Sequence, residues 1–257
     1  MKNYFDLTGN VAVVTGCSTG LGVQMAKALA NQGCKIVVLA RRQKLIDEVA
    51  AEITKDYGVE TLAVACDITS TEQVQNAVKA AMDKFGRIDI LINNAGTGGV
   101  APAEDITDEV LLNEINIDLV GTFKMAREVA KNAMIPAGYG RIINIASMYG
   151  LVGNKIAPAS PYHAAKGGVV NLTRALACEW GEKGITVNTI CPGYFETPLT
   201  KETLQSEFFQ NYAHTMIPEA RYGVEGELDT AAIFFASPAS SYVNGAVLPV
   251  DGGYTSL

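Results

Sequence analysis

Residues 11–22 of the chain read Val-Ala-Val-Val-Thr-Gly-Cys-Ser-Thr-Gly-Leu-Gly, and this stretch predicts a strand, a turn and a helix in direct succession. The apolar residues at 11–14 are typical of a buried strand, and helical spacing of apolar residues begins at Leu21. Between them, Gly16, Gly20 and Gly22 allow a tight turn and a close approach to a ligand. The amino end of the following helix offers free N–H groups to a phosphate. The stretch therefore predicts a dinucleotide-binding turn, although a plain glycine-rich turn would use the same residues.

The same alternation of strand and helix continues along the chain, and no linker rich in Pro, Gly or Ser divides it. We therefore predict an α/β fold of the Rossmann type, a doubly wound parallel seven-stranded sheet with helices on both faces. We expect residues 1–257 to form a single dinucleotide-binding and catalytic domain, in which the long connection at about 194–222 is a substrate lid. The predicted strands are Val11–Thr15, Lys35–Ala40, Thr61–Ala65, Ile88–Ile92, Arg141–Ala146, Thr186–Cys191 and Ala246–Val250. The predicted helices are Leu21–Gln32, Gln43–Tyr57, Ser70–Phe85, Asp108–Ile135, Pro161–Lys183 and Gly226–Ala236.

Composition excludes several classes of protein. The 257 residues carry a net charge of −7, which argues against binding a nucleic-acid backbone. No apolar run approaches the length of a membrane span, and the first ten residues contain no signal-peptide core. The five cysteines include no Cys-x-x-Cys pair, so we expect reduced thiols and neither a disulfide framework nor a metal site. These features predict a cytoplasmic protein that acts on a small molecule, without a nucleic-acid or membrane partner.

Two further motifs make a family resemblance specific. Asn93-Asn94-Ala95-Gly96 follows the fourth predicted strand, and Tyr162, the one tyrosine of ten with a lysine at i+4, precedes Lys166. Together with T-G-x-x-x-G-x-G at the start, they resemble the short-chain dehydrogenase/reductase family over about residues 5–255. The resemblance implies an NAD(P)-dependent enzyme that interconverts a secondary alcohol and a ketone. It also implies a catalytic group formed by Asn116, Ser147, Tyr162 and Lys166.

The chemistry of these residue types agrees with that group. Tyr162 and Lys166 lie one helical turn apart, and a nearby ammonium favours the ionised form of a phenol. Tyr162 can then act as general acid in reduction and general base in oxidation, while the Ser147 hydroxyl holds the substrate oxygen. By resemblance, Asn116 orders a water that links Lys166 to solvent. Taken singly, Ser147 is also consistent with a turn residue and Lys166 with a surface lysine.

The end of the second strand bears on the choice of dinucleotide. An acidic residue there would bind a ribose 2′-hydroxyl, whereas this chain has Arg41 and Arg42, whose planar guanidinium groups suit a phosphate. We therefore expect NADP(H) to be favoured over NAD(H), the alternative being that both arginines are solvated. By the family resemblance and this argument, the cofactor-binding residues are Gly16, Ser18, Thr19, Gly20, Leu21, Gly22, Arg41, Arg42, Asp67, Ile68, Asn94, Ala95, Gly96, Tyr162, Lys166, Pro192, Gly193, Phe195 and Thr197.

The substrate is less constrained. The chain is most similar to the gluconate 5-dehydrogenase branch, which implies a sugar acid or polyol, but a sugar acid needs a cation and Lys155 is the nearest candidate. The loop Met148–Ser160 is about two residues longer than is common in the family. Apolar residues in this loop and in the lid would instead favour a hydroxysteroid or another bulky ketone. A non-catalytic dinucleotide sensor is a further alternative. By resemblance, the long helices at 108–135 and 161–183 imply a homotetramer.

Overall fold

A computed structural model describes residues 3–257 of the chain, and its centre is one parallel sheet of seven strands. The order in the sheet is β3-β2-β1-β4-β5-β6-β7, so the direction of strand addition reverses between β1 and β4. The predicted fold class is confirmed. The strands are β1 (Val11–Thr15), β2 (Lys35–Ala40), β3 (Thr61–Ala65), β4 (Ile90–Asn93), β5 (Gly140–Ile145), β6 (Ile185–Pro192) and β7 (Val247–Val250).

Helices cover both faces of the sheet because successive side chains of a buried strand point to opposite sides. In β1, Ala12 and Val14 pack in one apolar cluster with α1 (Leu21–Asn31), α2 (Gln43–Tyr57) and α10 (Asp229–Ala236). Val11 and Val13 pack in a second cluster with α3 (Thr71–Phe85), α5 (Thr122–Val129) and α7 (Ser160–Trp180). A strand buried on both faces explains the continuous apolar runs in the sequence.

The predicted helix Asp108–Ile135 is not a regular α-helix. It consists of α4 (Asp108–Ile115), a π-helical segment Asn116–Gly121, α5, a second π-helical segment Ala130–Met134 and the short α6 (Ile135–Ala137). Each π turn adds a residue to the helical repeat and rotates the following side chains to a new face.

The predicted lid also has more order than a loop. It contains α8 (Lys201–Gln205) and α9 (Glu207–Met216), and its buried Leu204, Phe209 and Ile217 pack with Met148 and Tyr254. Other predicted bounds shift by a few residues: β4 begins at Ile90 and α10 begins at Asp229. Within residues 3–257, no helix is both long enough and apolar enough to cross a bilayer.

Candidate active site

The glycine turn lies at the point where strand order reverses and is tied to the end of β4. The Thr15 hydroxyl accepts hydrogen bonds from the N–H groups of Asn94 and Ala95, each at 3.0 Å. The Asn94 side chain donates to the carbonyls of Thr15 and Gly16, at 3.1 and 3.2 Å. A Cβ on Gly22 would lie only 2.6 Å from Asn94 Nδ2. Glycine is therefore required here by packing, and Asn94 is a structural link as well as a candidate ligand.

Two glycines of this turn have left-handed backbone, with φ of +65° at Gly16 and +67° at Gly20. This conformation favours glycine. Nothing comes closer than the Thr197 methyl group, at 3.4 Å, to a Cβ built on Gly20. Thr197, from the connection after β6, thus lies opposite the amino end of α1. The open backbone, together with the free N–H groups of that helix end, fits a pyrophosphate.

Arg42 contacts the glycine turn directly. Its Nη2 donates to the Ser18 hydroxyl at 2.9 Å, and both side chains lie at the surface. Arg41 interacts electrostatically with Asp67, whose carboxylate accepts hydrogen bonds from the Thr69 N–H and hydroxyl at 2.9 and 2.7 Å. Burial acts to raise the pKa of Asp67, but these hydrogen bonds outweigh it and the pKa is lowered. The arrangement places the Arg42 guanidinium beside the Ser18 hydroxyl at the turn, with Arg41 near Asp67.

The connection after β6 closes the same edge of the sheet. Gly193 donates to the Val250 carbonyl at 2.9 Å, and a Cβ on Gly193 would lie 2.7 Å from the Cα of Asp251. Phe195 is buried, and its carbonyl accepts a hydrogen bond from the Thr200 hydroxyl at 2.7 Å. The remaining predicted cofactor residues, Thr19, Leu21, Ile68, Gly96 and Pro192, also lie at or next to strand ends and helix starts.

Ser147, Tyr162 and Lys166 come together after β5. Ser147 is buried and accepts a hydrogen bond from the Tyr149 N–H at 3.1 Å, which caps a short 3₁₀ turn. Lys166 Nζ lies 5.5 Å from the centre of the Tyr162 ring and donates to the Ile145 carbonyl at 3.1 Å. A serine hydroxyl, a phenol and an ammonium at the carboxyl edge of the sheet can bind an oxygen and exchange a proton with it.

Asn116, for which the family resemblance implies a water that links Lys166 to solvent, is the first residue of the π-helical segment. The residue that contacts the ammonium directly is Asp118, whose Oδ1 lies 3.1 Å from Lys166 Nζ. Asp118 is completely buried. Asp118 was not among the predicted site residues, because an ordinary helical repeat does not show that its side chain faces Lys166.

Charges and hydrogen bonds fix this buried pair. The Thr97 N–H donates to both carboxylate oxygens of Asp118, at 3.2 and 3.3 Å. Burial raises the pKa of the Asp118 carboxyl, and Lys166 and Thr97 offset this only in part. Burial acts to lower the pKa of Lys166, but its electrostatic interaction with Tyr162 and its ion pair and hydrogen bond with Asp118 outweigh this effect, so that the pKa is raised. Lys166 is therefore held as an ammonium.

Four polar side chains, three of them aromatic, adjoin Tyr162 and were not predicted from the sequence. We call these residues, Tyr149, Asn154, His163 and Tyr194, the polar wall. The Tyr149 and Tyr194 hydroxyls lie 2.6 Å apart, and the Asn154 amide donates to both. The Tyr149 ring is edge-on to Tyr162, with ring centres 6.3 Å apart, and stacks on His163 at 4.5 Å. The only sign of this group in the sequence was the number of aromatic residues in or next to the loop 148–160 and the connection 194–222.

The predicted substrate cation, Lys155, is exposed and directly follows Asn154 of the polar wall. A second cation of the connection after β6, Arg221, is bound by Glu219 and Glu227, at 2.7 and 2.8 Å. Of the apolar lid residues, Leu199 is 91% exposed and Phe208 is 68% exposed, whereas most of the others pack inside the lid. Among residues 3–257, no three His, Cys, Asp or Glu side chains converge as metal ligands would.

The known proteins to which this chain is similar are named as dehydrogenases or reductases. A family model described as enoyl-(acyl carrier protein) reductase matches residues 16–255. Gluconate 5-dehydrogenase of Gluconobacter oxydans is 37% identical over 98% of this chain and 96% of its own. Galactitol 2-dehydrogenase (L-tagatose-forming) of Cereibacter sphaeroides is 36% identical over 99% and 98%. The solved structure of a gluconate 5-dehydrogenase from Burkholderia cenocepacia, in complex with NADP and tartrate, is 36% identical, with a TM-score of 0.93 over 99% of this chain and 98% of the other.

The polar wall predicts a specific dependence of stability on pH. Burial raises the pKa of Tyr149 to about 12, although the hydrogen bond with Tyr194 acts in the opposite direction. An unfolded tyrosine ionises near pH ~10, so between about pH 10 and 12 the unfolded chain releases a proton that the folded chain retains. The free energy of unfolding therefore falls as the pH rises through this window. In Tyr149→Phe this fall is expected to be shallower.

The measurement is urea unfolding at several pH values between neutral and strongly alkaline. The control is Tyr242→Phe, because the Tyr242 side chain is fully exposed and that variant should keep the wild-type slope. The readout is the slope against pH and not the absolute stability, since Tyr149→Phe also loses the hydrogen bond to Tyr194. Equal slopes in wild type and Tyr149→Phe would contradict the burial of the phenol.

Proposed function

Because this chain belongs to the short-chain dehydrogenase/reductase family, we propose that it is an NADP(H)-dependent oxidoreductase that interconverts a secondary alcohol and a ketone by hydride transfer. The observation that carries the proposal is the convergence of Ser147, Tyr162 and Lys166 at the edge of the sheet that also bears the glycine turn. A phenol, an ammonium and a hydroxyl in one place are the groups needed to move a proton to or from a carbonyl oxygen.

The dinucleotide would be held by the residues around the glycine turn. The left-handed glycines and the amino end of α1 fit its pyrophosphate, and Asp67 with Ile68 would lie beside the adenine. When bound, its nicotinamide supplies or accepts the hydride. Asn94, Ala95 and Gly96 after β4, and Pro192, Gly193, Phe195 and Thr197 after β6, would line the ribose and nicotinamide half.

In the proposed reaction Tyr162 is the proton carrier. During reduction it gives its proton to the substrate oxygen, and during oxidation it takes that proton back. The Lys166 ammonium, 5.5 Å from the ring centre, stabilises the tyrosinate that reduction leaves behind. The Ser147 hydroxyl holds the substrate oxygen beside Tyr162. Asn116 would order a water that links Lys166 to solvent, while Asp118 contacts Lys166 directly.

A hydroxylated substrate, a polyol or a sugar acid, is supported by the polar wall. Its two phenol hydroxyls and its amide form hydrogen bonds with one another beside Tyr162, and the same groups can donate to and accept from substrate hydroxyl groups. The connection 194–222 and the loop 148–157 would then enclose the substrate. A hydroxysteroid is the second candidate, but Leu199 and Phe208 face solvent. A dinucleotide sensor would have no use for the buried Lys166 beside Tyr162.

Replacement of Tyr162 by Phe tests the function. Tyr162→Phe removes the proton-transferring hydroxyl and keeps the ring, so kcat should fall by about 10²- to 10⁴-fold. Binding of NADPH, followed by fluorescence, should remain within a few fold of wild type. The substrate panel contains galactitol, gluconate and a hydroxysteroid, each followed by nicotinamide absorbance.

Tyr242→Phe, at an exposed position, is the matched control and should keep wild-type turnover. We expect turnover of at least one hydroxylated substrate and none of the steroid. Wild type that binds NADPH but turns over no alcohol or ketone would support the sensor. Unchanged turnover in Tyr162→Phe would refute the role of the phenol.

The choice of cofactor rests on Arg42 and Ser18, whose contact places a guanidinium beside the glycine turn. Arg42→Gln removes a charge-assisted hydrogen bond of about 1.5–3 kcal/mol to a 2′-phosphate, which is about 10- to 100-fold in Kd for NADPH. The Kd for NADH should not change, because NADH has no phosphate there. Arg174→Gln, an exposed arginine on α7, controls for the loss of one positive charge. Tighter binding of NADH than of NADPH by wild type would overturn the preference.

We also propose that the chain assembles as a homotetramer. Apolar side chains that a monomer would expose lie along α4 and α5: Leu112 is 65% exposed, Val110 45% and Phe123 37%. Light scattering should give four times the chain mass of 27.2 kDa. Leu112→Glu should lower this mass, whereas Leu199→Glu, at a still more exposed leucine in the connection 194–222, should leave it unchanged. A wild-type mass of one chain would contradict the assembly.

A further inference from the structure

The ion pair between Asp118 and Lys166 differs from the other ion pairs of the described chain. Side-chain exposures are 0% for Asp118 and 5% for Lys166, and every other pair within residues 3–257 has at least one partner exposed by 23% or more. A buried pair contributes little net stability, because desolvating both charges costs about as much as their attraction returns. The pair therefore needs an explanation other than stability.

The fold holds the carboxylate at the ammonium. The π-helical segment turns Asp118 toward α7. The Thr122 hydroxyl donates to the Asp118 backbone carbonyl at 2.7 Å, so this carbonyl has a hydrogen-bond partner within the segment. The Thr97 N–H binds both carboxylate oxygens. Any side chain on Gly96 would collide with Asp118 Oδ1 and approach Lys166 Nζ to 3.2 Å. Helix, turn and glycine together leave room for the direct contact of the two charges.

We propose that Asp118 is a positioning residue that neutralises the charge of Lys166 and so keeps Tyr162 protonated to a higher pH than an uncompensated ammonium would. The proposal rests on the proposed function of Tyr162 as the proton carrier. It assigns to Asp118 an effect on the proton and not a direct contact with substrate. A protonated Tyr162 can give its proton to a ketone oxygen, so the balance of charges favours the direction of ketone reduction.

The expected effect follows from the net charge of three groups, Asp118, Lys166 and Tyr162. With Asp118 ionised, Lys166 protonated and Tyr162 neutral, the site has no net charge, and loss of the phenol proton leaves one buried negative charge. With an amide at position 118 the site starts at one positive charge, and loss of the same proton neutralises it. Burial disfavours net charge. The pH at which half of the molecules have lost the Tyr162 proton, the midpoint, is therefore expected to fall when the Asp118 carboxylate is removed.

The other groups that face the pair do not change this net charge. Cys191 of β6 lies near Lys166, and burial raises the pKa of its thiol to about 11, which leaves it neutral. Ser147, the Ile145 carbonyl and the Thr97 N–H carry no charge. Tyr162 and Lys166 share one face of α7, and their protons leave as a coupled pair, so the midpoint belongs to the site as a whole.

A purely structural role for Asp118 makes a different prediction. If its purpose were only to accept the Thr97 N–H, then Asp118→Asn, whose amide oxygen still accepts that bond, would leave the titration unchanged. Glu114 provides the matched control because it is also a buried carboxylate on the preceding helical turn. Its Oε1 accepts the Gly99 N–H at 2.6 Å, but it has no contact with Lys166. Glu114→Gln therefore removes a buried carboxylate without removing the charge at the ammonium.

The experiment is a pH titration of tyrosinate absorbance in the ligand-free protein. Subtracting Tyr162→Phe from wild type, and Asp118→Asn/Tyr162→Phe from Asp118→Asn, isolates the signal of Tyr162. We expect Asp118→Asn to lower the midpoint by about one pH unit or more, and Glu114→Gln to leave it in place. The pH profile of kcat for alcohol oxidation should shift in the same direction. Asp118→Ser, which also removes the charge, is the second variant and should shift likewise if the amide variant folds poorly.

The outcomes separate this proposal from the proposed function. An unchanged midpoint in Asp118→Asn and Asp118→Ser would overturn the charge-balancing role, whether or not the protein is active. An equal shift in Glu114→Gln would overturn it too, because the effect would then not depend on contact with Lys166. Absence of turnover in wild type would refute the proposed enzyme, while the absorbance titration would still report on the pair.

Discussion

The parallel register of the seven strands is the constraint on which the rest of the structure depends. Because every strand runs in the same direction, all seven carboxyl ends meet at one edge of the sheet, and the loops that follow them converge there. The reversal of strand order between β1 and β4 opens a crevice at that edge. Thr15 and Asn94 tie its two sides together through hydrogen bonds between the side chain of one and the backbone of the other. Thr197 and Gly20 are distant in sequence and become neighbours for this reason.

Local sequence was enough to predict most of this frame. The bounds of β1, β2, β3 and α2 agree with the predicted ones, because short apolar runs and amphipathic spacing are patterns that depend on few distant contacts. The positions of Ser147, Tyr162 and Lys166 followed from the same frame. Capping also acted locally: Ser70 accepts from the Gln73 N–H and so precedes α3, as its residue type predicts.

The residues that were missed depend on packing between distant segments. Gly121 lies against Ile68, and Gly168 lies against Leu119, so close that a Cβ on either glycine would collide with its neighbour. The contact of Gly168 with Leu119 allows the irregular helix to approach α7, and the π-helical segment directs Asp118 toward Lys166. Similarly, the Tyr149 and Tyr194 hydroxyls meet across 45 positions of sequence. Neither periodicity nor a motif contains that information.

The phenols of the polar wall and the phenol of Tyr162 lie in different electrostatic surroundings. In the wall, burial raises the pKa of Tyr149 and Tyr194, so these phenols stay neutral and serve only as hydrogen-bonding groups. The ring of Tyr162 instead lies near the Lys166 ammonium, which is itself in contact with the buried Asp118 carboxylate. The phenols of the wall thus bond to one another, whereas Tyr162 lies beside a buried ion pair. The difference between them is electrostatic, and it is set by where the π turn directs one carboxylate.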